Sequence, residues 1–453
     1  MKLGISHIFE FDLHPAKNLW DRAFIFLFII SLVLRLLFLS VPAITRSDGM
    51  IFDEIYYVNA VRNILGLPLS LDEKGNQKIF VGAQPYSDPN LEHPPLAKAI
   101  VAVFVMALGD NSWGYRLPSV IFGMVAILFM YLLAKKLTAS GKVAFFATFL
   151  FSFDVLVFVH SRIFTLDIFL VSFMIVGFYY YLRGNLVTSG LFLALSTLCK
   201  IGGIYGMVAL AVYHVISKVK LSTTKGIKLH GLRAVYRFIE RFVVAYFAIL
   251  LVVWEMLDFA FVKLPEGGWH TANVFQHMYW LFGYTTNLRV GAYTWQGDII
   301  NIEGQLETSS IISPPWLWLI NQRAIPYLLA AVSYYANGKL IRTVPSMQFF
   351  GVMNPALVAV ALPSVARAFW LALKKGKGKA ELFGLTWWAS TYLVWYGMAL
   401  MDRVLYLFYM IQAVGAICLL AALALNMKRF SKLFFVGFTC AILVGFAYYY
   451  PYK

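Results

Sequence analysis

Charged residues are scarce in this sequence: only 13% of its 453 residues are Asp, Glu, Lys or Arg, whereas 60% are hydrophobic. A soluble protein of this length needs much more polar surface to face water, so the composition excludes an ordinary soluble globular protein. The solvent must be largely lipid, which offers backbone groups no partners. The spanning segments must therefore be helices or a closed barrel.

Cysteine is also rare, and Cys199, Cys418 and Cys440 all lie inside apolar segments. The sequence therefore predicts no disulfide framework. Metal-ligand spacing is lacking as well, because His270 and His277 are seven residues apart and form too weak a pattern to predict a metal site. A requirement for a divalent metal is left open. No cleavable signal is recognisable at the N-terminus, where the first apolar run is long enough to act as a signal anchor.

The sequence does contain apolar runs of about 15–22 residues, which suit helices and not alternating barrel strands. At roughly 20 residues per crossing, they predict an all-α integral membrane protein with about eleven transmembrane helices. The predicted spans are 22–43, 117–134, 142–159, 163–182, 186–199, 201–217, 240–262, 353–373, 382–401, 404–425 and 432–449.

The net charge is +16, and the positive-inside rule explains it better than a nucleic-acid partner does. The basic loops are 134–142, 183–185, 218–241, 374–379 and 426–432. They all fall on the inner side if the short apolar stretch 95–108 lies flat on the outer surface. We therefore predict one transmembrane domain over residues 1–453 of a multi-pass cell-membrane protein. Its two large outward-facing loops, 44–116 and 263–352, would carry short interfacial helices such as 53–65.

Two carboxylates, Asp53 and Glu54, follow the first predicted span. An adjacent acid pair could supply a general base and an electrostatic partner. Asp53 also stands where an acid would cap a helix, and from the residues alone this interpretation is equally strong.

Cations occur at outer membrane boundaries, where the charge rule expects few. Arg116, Arg162 and Arg403 lie beside outward turns, and guanidinium groups bind lipid phosphate through bidentate hydrogen bonds. Lys98 follows the run His93-Pro-Pro-Leu-Ala and lies near the free N–H groups of a helix start, which favour a phosphate. Membrane anchoring or pairing with acids is the alternative for each cation.

Asp167 lies about one turn into an apolar span, which is costly unless the acid is paired or functional. We expect its partner to be an arginine from another helix. The second outer loop is rich in aromatic residues, which stack on sugars and also form interface belts. Its tryptophans include Trp269, Trp280, Trp295, Trp316 and Trp318.

Taken in order, these motifs resemble the protein O-mannosyltransferase family, within the GT-C-type integral membrane glycosyltransferases. The resembling stretches are Asp53-Glu54, His93-Pro-Pro-Leu-Ala-Lys98, Arg116-Leu-Pro, Ser161-Arg162-(x)4-Asp167, Pro315-Trp-Leu-Trp318, Asn321-Gln-Arg323-(x)2-Pro326-Tyr327, Met353-Asn354-Pro355, and Arg403 with Leu405-Tyr406.

The resemblance implies a GT-C fold and an inverting enzyme that uses a polyprenyl- or dolichyl-phosphate mannose donor in the outer leaflet. A Ser or Thr hydroxyl of an exported protein would attack the sugar C1. It implies Asp53 as the general base, with Glu54 helping to position the substrate. The expected donor-phosphate residues are Arg116, Arg162, Lys98, His93 and Arg403, and the expected substrate-positioning residues are Asp167, Trp316 and Asn354.

Two departures qualify the resemblance. The late motif of the family usually carries a histidine where this chain has Leu407. The large soluble β-trefoil insert of fungal and animal members is absent, which indicates a prokaryotic member.

Same-fold enzymes that glycosylate lipids typically have Lys-Pro-Pro-Leu where this chain has His93-Pro-Pro-Leu, which favours a protein acceptor. A lipid or glycan acceptor is the first alternative, and an anionic-lipid transporter is a weaker one, because the ionisable groups collect at one face.

Overall fold

The structure is a computed structural model that describes most of the chain. The described ranges are 18–72, 74–223, 229–261, 273–290, 296–300, 306–310, 312–322, 324–336, 339–374, 378–426 and 431–452. The tryptophans at 269 and 295, His270 and Arg323, which the sequence analysis singled out, lie outside these ranges.

Helices dominate the described chain. They are α1 (Leu19–Leu36), α2 (Glu54–Ile64), α3 (Leu96–Leu108), α4 (Ser112–Thr138), α5 (Gly141–Ser152), α6 (Val155–His160), α7 (Asp167–Leu182), α8 (Leu186–Cys199), α9 (Ile204–Thr223), α10 (Leu229–Phe238), α11 (Val244–Phe261), α12 (Val274–Asn287), α13 (Pro355–Leu373), α14 (Lys379–Tyr392), α15 (Val394–Leu400), α16 (Ile411–Leu425) and α17 (Lys432–Tyr448).

Five helical stretches among the described residues are long and apolar enough to cross a membrane. They are Ser112–Thr138, Ile201–Lys218, Ala234–Phe261, Pro355–Leu373 and Leu407–Leu425. Shorter apolar helices, such as α7 and α8, accompany them. The expectation of a multi-pass membrane protein is thereby supported, while the count of eleven spans stays a prediction.

Two predicted spans are interrupted. The stretch 142–159 divides into α5 and α6, because Asp154 starts a new helix by accepting the Val157 N–H at 3.1 Å. The other carboxylate oxygen of Asp154 accepts the Asn354 N–H at 2.9 Å and so fixes the start of α13. The stretch 382–401 also divides, into α14 and α15, although no side chain caps the start of α15.

The all-α prediction is wrong for the second outer loop. Strands β1 (Gln296–Ile300) and β2 (Leu306–Ser310) form one antiparallel hairpin, and β3 (Ile325–Ala336) and β4 (Lys339–Gly351) form another. The apolar, Tyr-containing sequence of β3 favours a strand, a preference that helix-length counting overlooks. The Gln348 N–H donates to the Pro451 carbonyl at 2.7 Å, so the C-terminal segment holds β4 in place.

Helix α16 lies at the centre of the helical layer, with almost all of its residues buried, and it packs against α5, α13 and α14. Helix α4 packs against α3, α5 and α7. At Gly415 a side-chain Cβ would come within 2.3 Å of the Trp387 ring, so only glycine lets the two helices approach this closely. This layer supports one end of the first outer loop.

The first outer loop folds as an ordered cap over the helices. Helices α2 and α3 pack against each other. Arg62 bonds Asp110 at 3.0 Å, and the Tyr115 hydroxyl donates to the same carboxylate at 2.7 Å. These contacts tie α2 to the start of α4 and fix the acid pair that begins α2.

Candidate active site

A cavity of about 550 Å³ opens between the cap and the helical layer. The start of α2, the 90–93 turn, the α8–α9 junction, the end of α12, the start of β3 and the 403–409 segment all contribute to its wall. The lining residues are Phe52, Asp53, Ile55, Tyr56, Tyr57, Asn90, Glu92, His93, Lys200, Tyr284, Thr285, Leu288, Ile325, Pro326, Tyr327, Leu328, Leu329, Arg403, Val404, Tyr406, Phe408 and Tyr409. Aromatic rings therefore surround a few charged groups.

Asp53 lines this cavity directly before the first residue of α2. It occupies the predicted capping position, yet its side chain makes no capping hydrogen bond, so capping does not account for the carboxylate. Burial raises the pKa of Asp53 to about 7, with Lys200 lowering it and Asp167 and Glu92 raising it further. A carboxyl group with such a pKa is a suitable general base near neutral pH.

Glu54 points away from the cavity into a buried ion pair with Arg116. The Arg116 Nε and Nη2 donate to the two carboxylate oxygens at 2.9 and 2.7 Å. The other three Arg116 donors reach the carbonyls of Leu39, Pro42 and Gly49 at 2.7–3.2 Å. All five guanidinium N–H groups are thus used, which leaves none for a donor phosphate in this arrangement.

Glu54 also accepts the backbone N–H groups of Ile51 and Phe164, at 2.8 and 2.9 Å. Three segments distant in sequence therefore meet at the Glu54–Arg116 pair. The geometry favours a positioning role, in which this pair holds the turn that carries Asp53.

Lys98 likewise lies beneath the cavity and not in its wall. Its ammonium group contacts the Asp88 carboxylate at 2.5 Å and donates to the carbonyls of Asn90 and His93, at 2.5 and 3.2 Å. The side chain is fully buried. Lys98 therefore shapes the 88–93 turn, which presents Glu92 and His93 to the cavity.

Lys200 is the cavity cation that the sequence analysis missed. It follows α8 and donates to both carboxylate oxygens of Asp167 at 2.9 Å, so the expected arginine partner of Asp167 is in fact a lysine. Burial alone would lower the pKa of Lys200, but Asp167 and neighbouring acidic groups raise it overall. Its ammonium group also lies 5.1 and 5.6 Å from the ring centroids of Phe408 and Tyr409.

The residues around Lys200 in the sequence do contain a feature that could have identified it. It is the one Lys or Arg in the apolar stretch 186–217, and it precedes Gly202-Gly203, where the chain makes a single 3-10 turn between α8 and α9. A Cβ on Gly203 would come within 2.4 Å of the Ser196 and Thr197 backbone, so the turn requires glycine there. The sequence could therefore have indicated Lys200 as a candidate site residue, because it is a charged residue at a break between two short apolar helices.

Arg403 is a second cation in the cavity wall, and its guanidinium donates to the Thr285 carbonyl of α12. Arg162 lies outside the wall, where its Nη atoms donate to the carbonyls of Leu34 and Leu37 at the end of α1. It also lies over the rings of Phe158 and Tyr452. The structure thus brings Arg403, but not Arg162, to the cavity.

The expected substrate-positioning residues do not line the cavity. Trp316 is 55% exposed and packs near Tyr396, with a ring separation of 6.1 Å. Asn354 is buried and caps α13, because its Oδ1 accepts the Ala356 N–H at 3.1 Å, while its Nδ2 donates to the carbonyls of Phe153 and Ile442 at 3.2 and 2.8 Å. Asp167 reaches the cavity only through Lys200.

An aromatic wall near Asp53 was not anticipated from the sequence. Phe52 adopts a positive φ of 54° and stacks on Tyr327 at 4.0 Å between ring centroids. The Tyr327 hydroxyl bonds His160 at 2.8 Å. Leu407, which replaces the histidine of the family motif, is buried outside the wall, while its neighbour Phe408 lines it and lies near His160.

The described residues include no group of three or more His, Cys, Asp or Glu side chains placed to hold a metal ion. The described cavity offers two carboxyl groups, of Asp53 and Glu92, whose pKa burial raises, together with two cations and aromatic surface. This combination suits a ligand with an anionic group and a hydroxyl-bearing ring.

Comparison with solved structures identifies the fold as that of GT-C-type membrane glycosyltransferases. The Saccharomyces cerevisiae protein O-mannosyltransferase Pmt1–Pmt2 complex, solved with its sugar donor, aligns with a TM-score of 0.64 at 12% identity, over 95% of this chain and 90% of that chain. ArnT from Cupriavidus metallidurans, in the apo state, aligns with a TM-score of 0.51 at 14% identity, over 92% of this chain and 62% of that chain.

Sequence comparison finds similarity to protein mannosyltransferases in particular. The family model for dolichyl-phosphate-mannose–protein mannosyltransferase matches residues 92–246. A polyprenol-phosphate-mannose–protein mannosyltransferase of Corynebacterium glutamicum is 24% identical, over 90% of this chain and 84% of that protein. One from Mycolicibacterium smegmatis is 27% identical over 31% of this chain and 25% of its own length. These matches confirm the resemblance to the protein O-mannosyltransferases that the ordered motifs indicated.

Proposed function

We propose that this protein is a glycosyltransferase that moves mannose from a polyprenyl- or dolichyl-phosphate donor to Ser or Thr hydroxyls of exported proteins. The single observation that carries the proposal is one cavity that holds the Asp53 carboxyl group together with the cations Lys200 and Arg403. The names of the sequence relatives, which describe this transfer, support it.

The proposed reaction inverts the anomeric centre. The acceptor oxygen forms a bond to the sugar C1 while the bond from C1 to the phosphate oxygen breaks, and Asp53 takes the hydroxyl proton. The leaving phosphodiester becomes a polyprenyl phosphate monoester, whose added negative charge Lys200 and Arg403 stabilise. Positioning makes the weak nucleophile effective, because the carboxylate and the sugar are held on opposite sides of the hydroxyl.

The remaining expected residues receive supporting roles in this proposal. Glu54 and Arg116 hold the Asp53 turn, Lys98 holds the 88–93 turn, and Asp167 orients Lys200. Arg162 and Asn354 fix the ends of helices, and Trp316 stays a candidate contact for the acceptor. This assignment moves donor-phosphate binding from Arg116 to Lys200 and Arg403.

An Asp53→Asn variant tests the proposal most simply. It should bind polyprenyl-phosphate mannose as the native protein does but transfer mannose to a Ser/Thr peptide at least about 100-fold more slowly, since a general base contributes about 10²–10⁴-fold. Asp48→Asn, a change at an exposed acid in the same loop, is the matched control and should transfer normally. Native transfer by Asp53→Asn would remove Asp53 as the base, and native enzyme that mannosylates only lipid would favour the lipid-acceptor alternative.

We also propose that the whole chain acts as one transmembrane domain whose loops 44–116 and 263–352 face the extracytoplasmic side. A cysteine placed at the exposed position 48, in a Cys440→Ser background, should react with an impermeant thiol reagent on intact cells. Cys199 and Cys418 are buried and should not react with the reagent. Labelling only after the cells are opened would place the cavity on the inner side.

A further inference from the structure

The His93 imidazole lies in the cavity wall without a partner. Among the described residues, none hydrogen-bonds to its ring, and Nδ1 is buried and unsatisfied. Buried polar atoms are nearly always bonded, so an unsatisfied one beside a cavity indicates a missing ligand.

The position of this ring is fixed by its surroundings. Pro94 and Pro95 restrict the backbone that follows, and the His93 carbonyl accepts a hydrogen bond from Lys98 at 3.2 Å. The Tyr57 ring lies 5.7 Å away, between ring centroids. The backbone at His93 is therefore fixed, and the imidazole packs near the Tyr57 ring in the cavity wall.

The charge state of the ring decides what it can bind. Burial lowers the pKa of His93 well below its usual value, and the nearby cations Lys200, Lys98 and Arg403 lower it further. The imidazole is therefore neutral, with one N–H donor and one nitrogen acceptor. A phosphate oxygen could use only the donor, whereas a hydroxyl group both donates and accepts.

We propose that His93 binds a hydroxyl group of the donor sugar, and so lets the site distinguish a sugar-bearing lipid phosphate from the bare lipid phosphate. This inference rests on the proposed function and replaces the expectation that His93 binds the phosphate. A sugar hydroxyl is favoured over the acceptor hydroxyl because Lys200 and Arg403, which would hold the phosphate, are charged neighbours of the same ring.

The test compares the affinity of the full-length protein for polyprenyl phosphate with its affinity for polyprenyl-phosphate mannose, without acceptor. His93→Ala should weaken binding of the mannose-bearing lipid about tenfold, as the loss of hydrogen bonds to one hydroxyl predicts, and leave polyprenyl phosphate within twofold. His93→Gln, which keeps a donor and an acceptor, should recover much of the loss. Leu288→Ala, an apolar change in the same cavity wall, should affect both ligands alike.

Donors that lack one mannose hydroxyl at a time identify the contact. One of them should bind the native protein about tenfold more weakly than the full donor but bind His93→Ala no worse than the full donor does. Equal weakening of both lipids by His93→Ala, or the absence of any coupled hydroxyl, would overturn the role of His93 while leaving the proposed function intact. A native protein with no sugar-dependent affinity would overturn both.

Discussion

Asp53 combines two properties that a general base needs, since it faces the cavity and its pKa is raised to about 7 by burial. An ordinary exposed carboxylate is ionised at neutral pH but holds a proton too weakly to assist a hydroxyl. The buried position makes the group more basic, and Lys200 limits the shift, so that a large fraction remains ionised near pH 7.

The pH dependence of transfer follows from this pKa. The reactive form of Asp53 is ionised, so kcat/KM should fall about tenfold per pH unit as the pH drops below about 7. A profile that stays flat between pH 6 and 8 would contradict the assignment.

The raised pKa of Asp53 also makes the stability of the fold depend on pH, and stability falls with rising pH whereas activity increases. Between pH about 4, the ordinary pKa of Asp, and pH about 7, the folded state holds a proton on Asp53 that the unfolded state has released, so the free energy of unfolding falls as the pH rises across this range. Asp53→Asn should therefore gain thermal stability over the native protein more at pH 8 than at pH 5.5, which a control pH series on Asp48→Asn should not show.

Lys200 provides a second prediction at the residue scale. A Lys200→Met/Asp167→Asn double variant removes both partners of the pair and so leaves no uncompensated buried charge. The donor Kd should rise about 10–100-fold, since a hydrogen bond to a charged group contributes about 1.5–3 kcal/mol. Isothermal or fluorescence titration with polyprenyl-phosphate mannose, without acceptor, measures this Kd.

A matched control uses the Lys135–Asp21 pair between α1 and α4, with a contact distance of 2.8 Å, which does not line the cavity. Lys135→Met/Asp21→Asn should leave the donor Kd unchanged. An equal rise in both double variants would mean that the effect is structural and would remove Lys200 from the phosphate site.

At the scale of elements, the Glu54–Arg116 pair joins α2, α4 and the chain after α1. Arg116→Ala leaves Glu54 buried without its counter-ion, so we expect a loss of about 3–5 kcal/mol in the free energy of unfolding. Thermal unfolding in detergent or nanodiscs should show a clearly lower Tm, with activity lost through unfolding. An Arg116→Ala variant with native Tm but much weaker donor binding would restore Arg116 to the phosphate site.

Much of the element layout was predictable from residues, because apolar runs of membrane length have few structural solutions. Three of the residues that the resembling motifs single out, Asp53, His93 and Arg403, line one cavity, and their roles stay predictions. Sequence proximity could not reveal which of the two acids faces the cavity, because helix geometry separates neighbouring side chains by about 100° without fixing the direction of either one.

Lys200 and the β3–β4 hairpin were not predicted, and each omission has a physical reason. Lys200 fell between the predicted spans 186–199 and 201–217, and its place in the cavity became visible only where the α8–α9 turn meets Asp167 and the 403–409 segment. The β3–β4 hairpin was overlooked because its apolar sequence has no clear two-residue alternation. Such contacts are non-local, and composition and spacing do not record them.

At the scale of the whole molecule, a cavity with a few charged groups lies between the cap that contains α2 and α3 and the apolar helical layer. Under the proposed function, the tail of a lipid-linked donor would stay in the membrane while its phosphate reaches Lys200 and Arg403.

A structure of the Asp53→Asn variant with bound polyprenyl-phosphate mannose tests this account most directly. We predict the donor phosphate within hydrogen-bonding distance of Lys200 and Arg403, and the sugar C1 facing residue 53. A phosphate bound instead at Arg116 or Arg162, with the mannose outside the cavity, would contradict it.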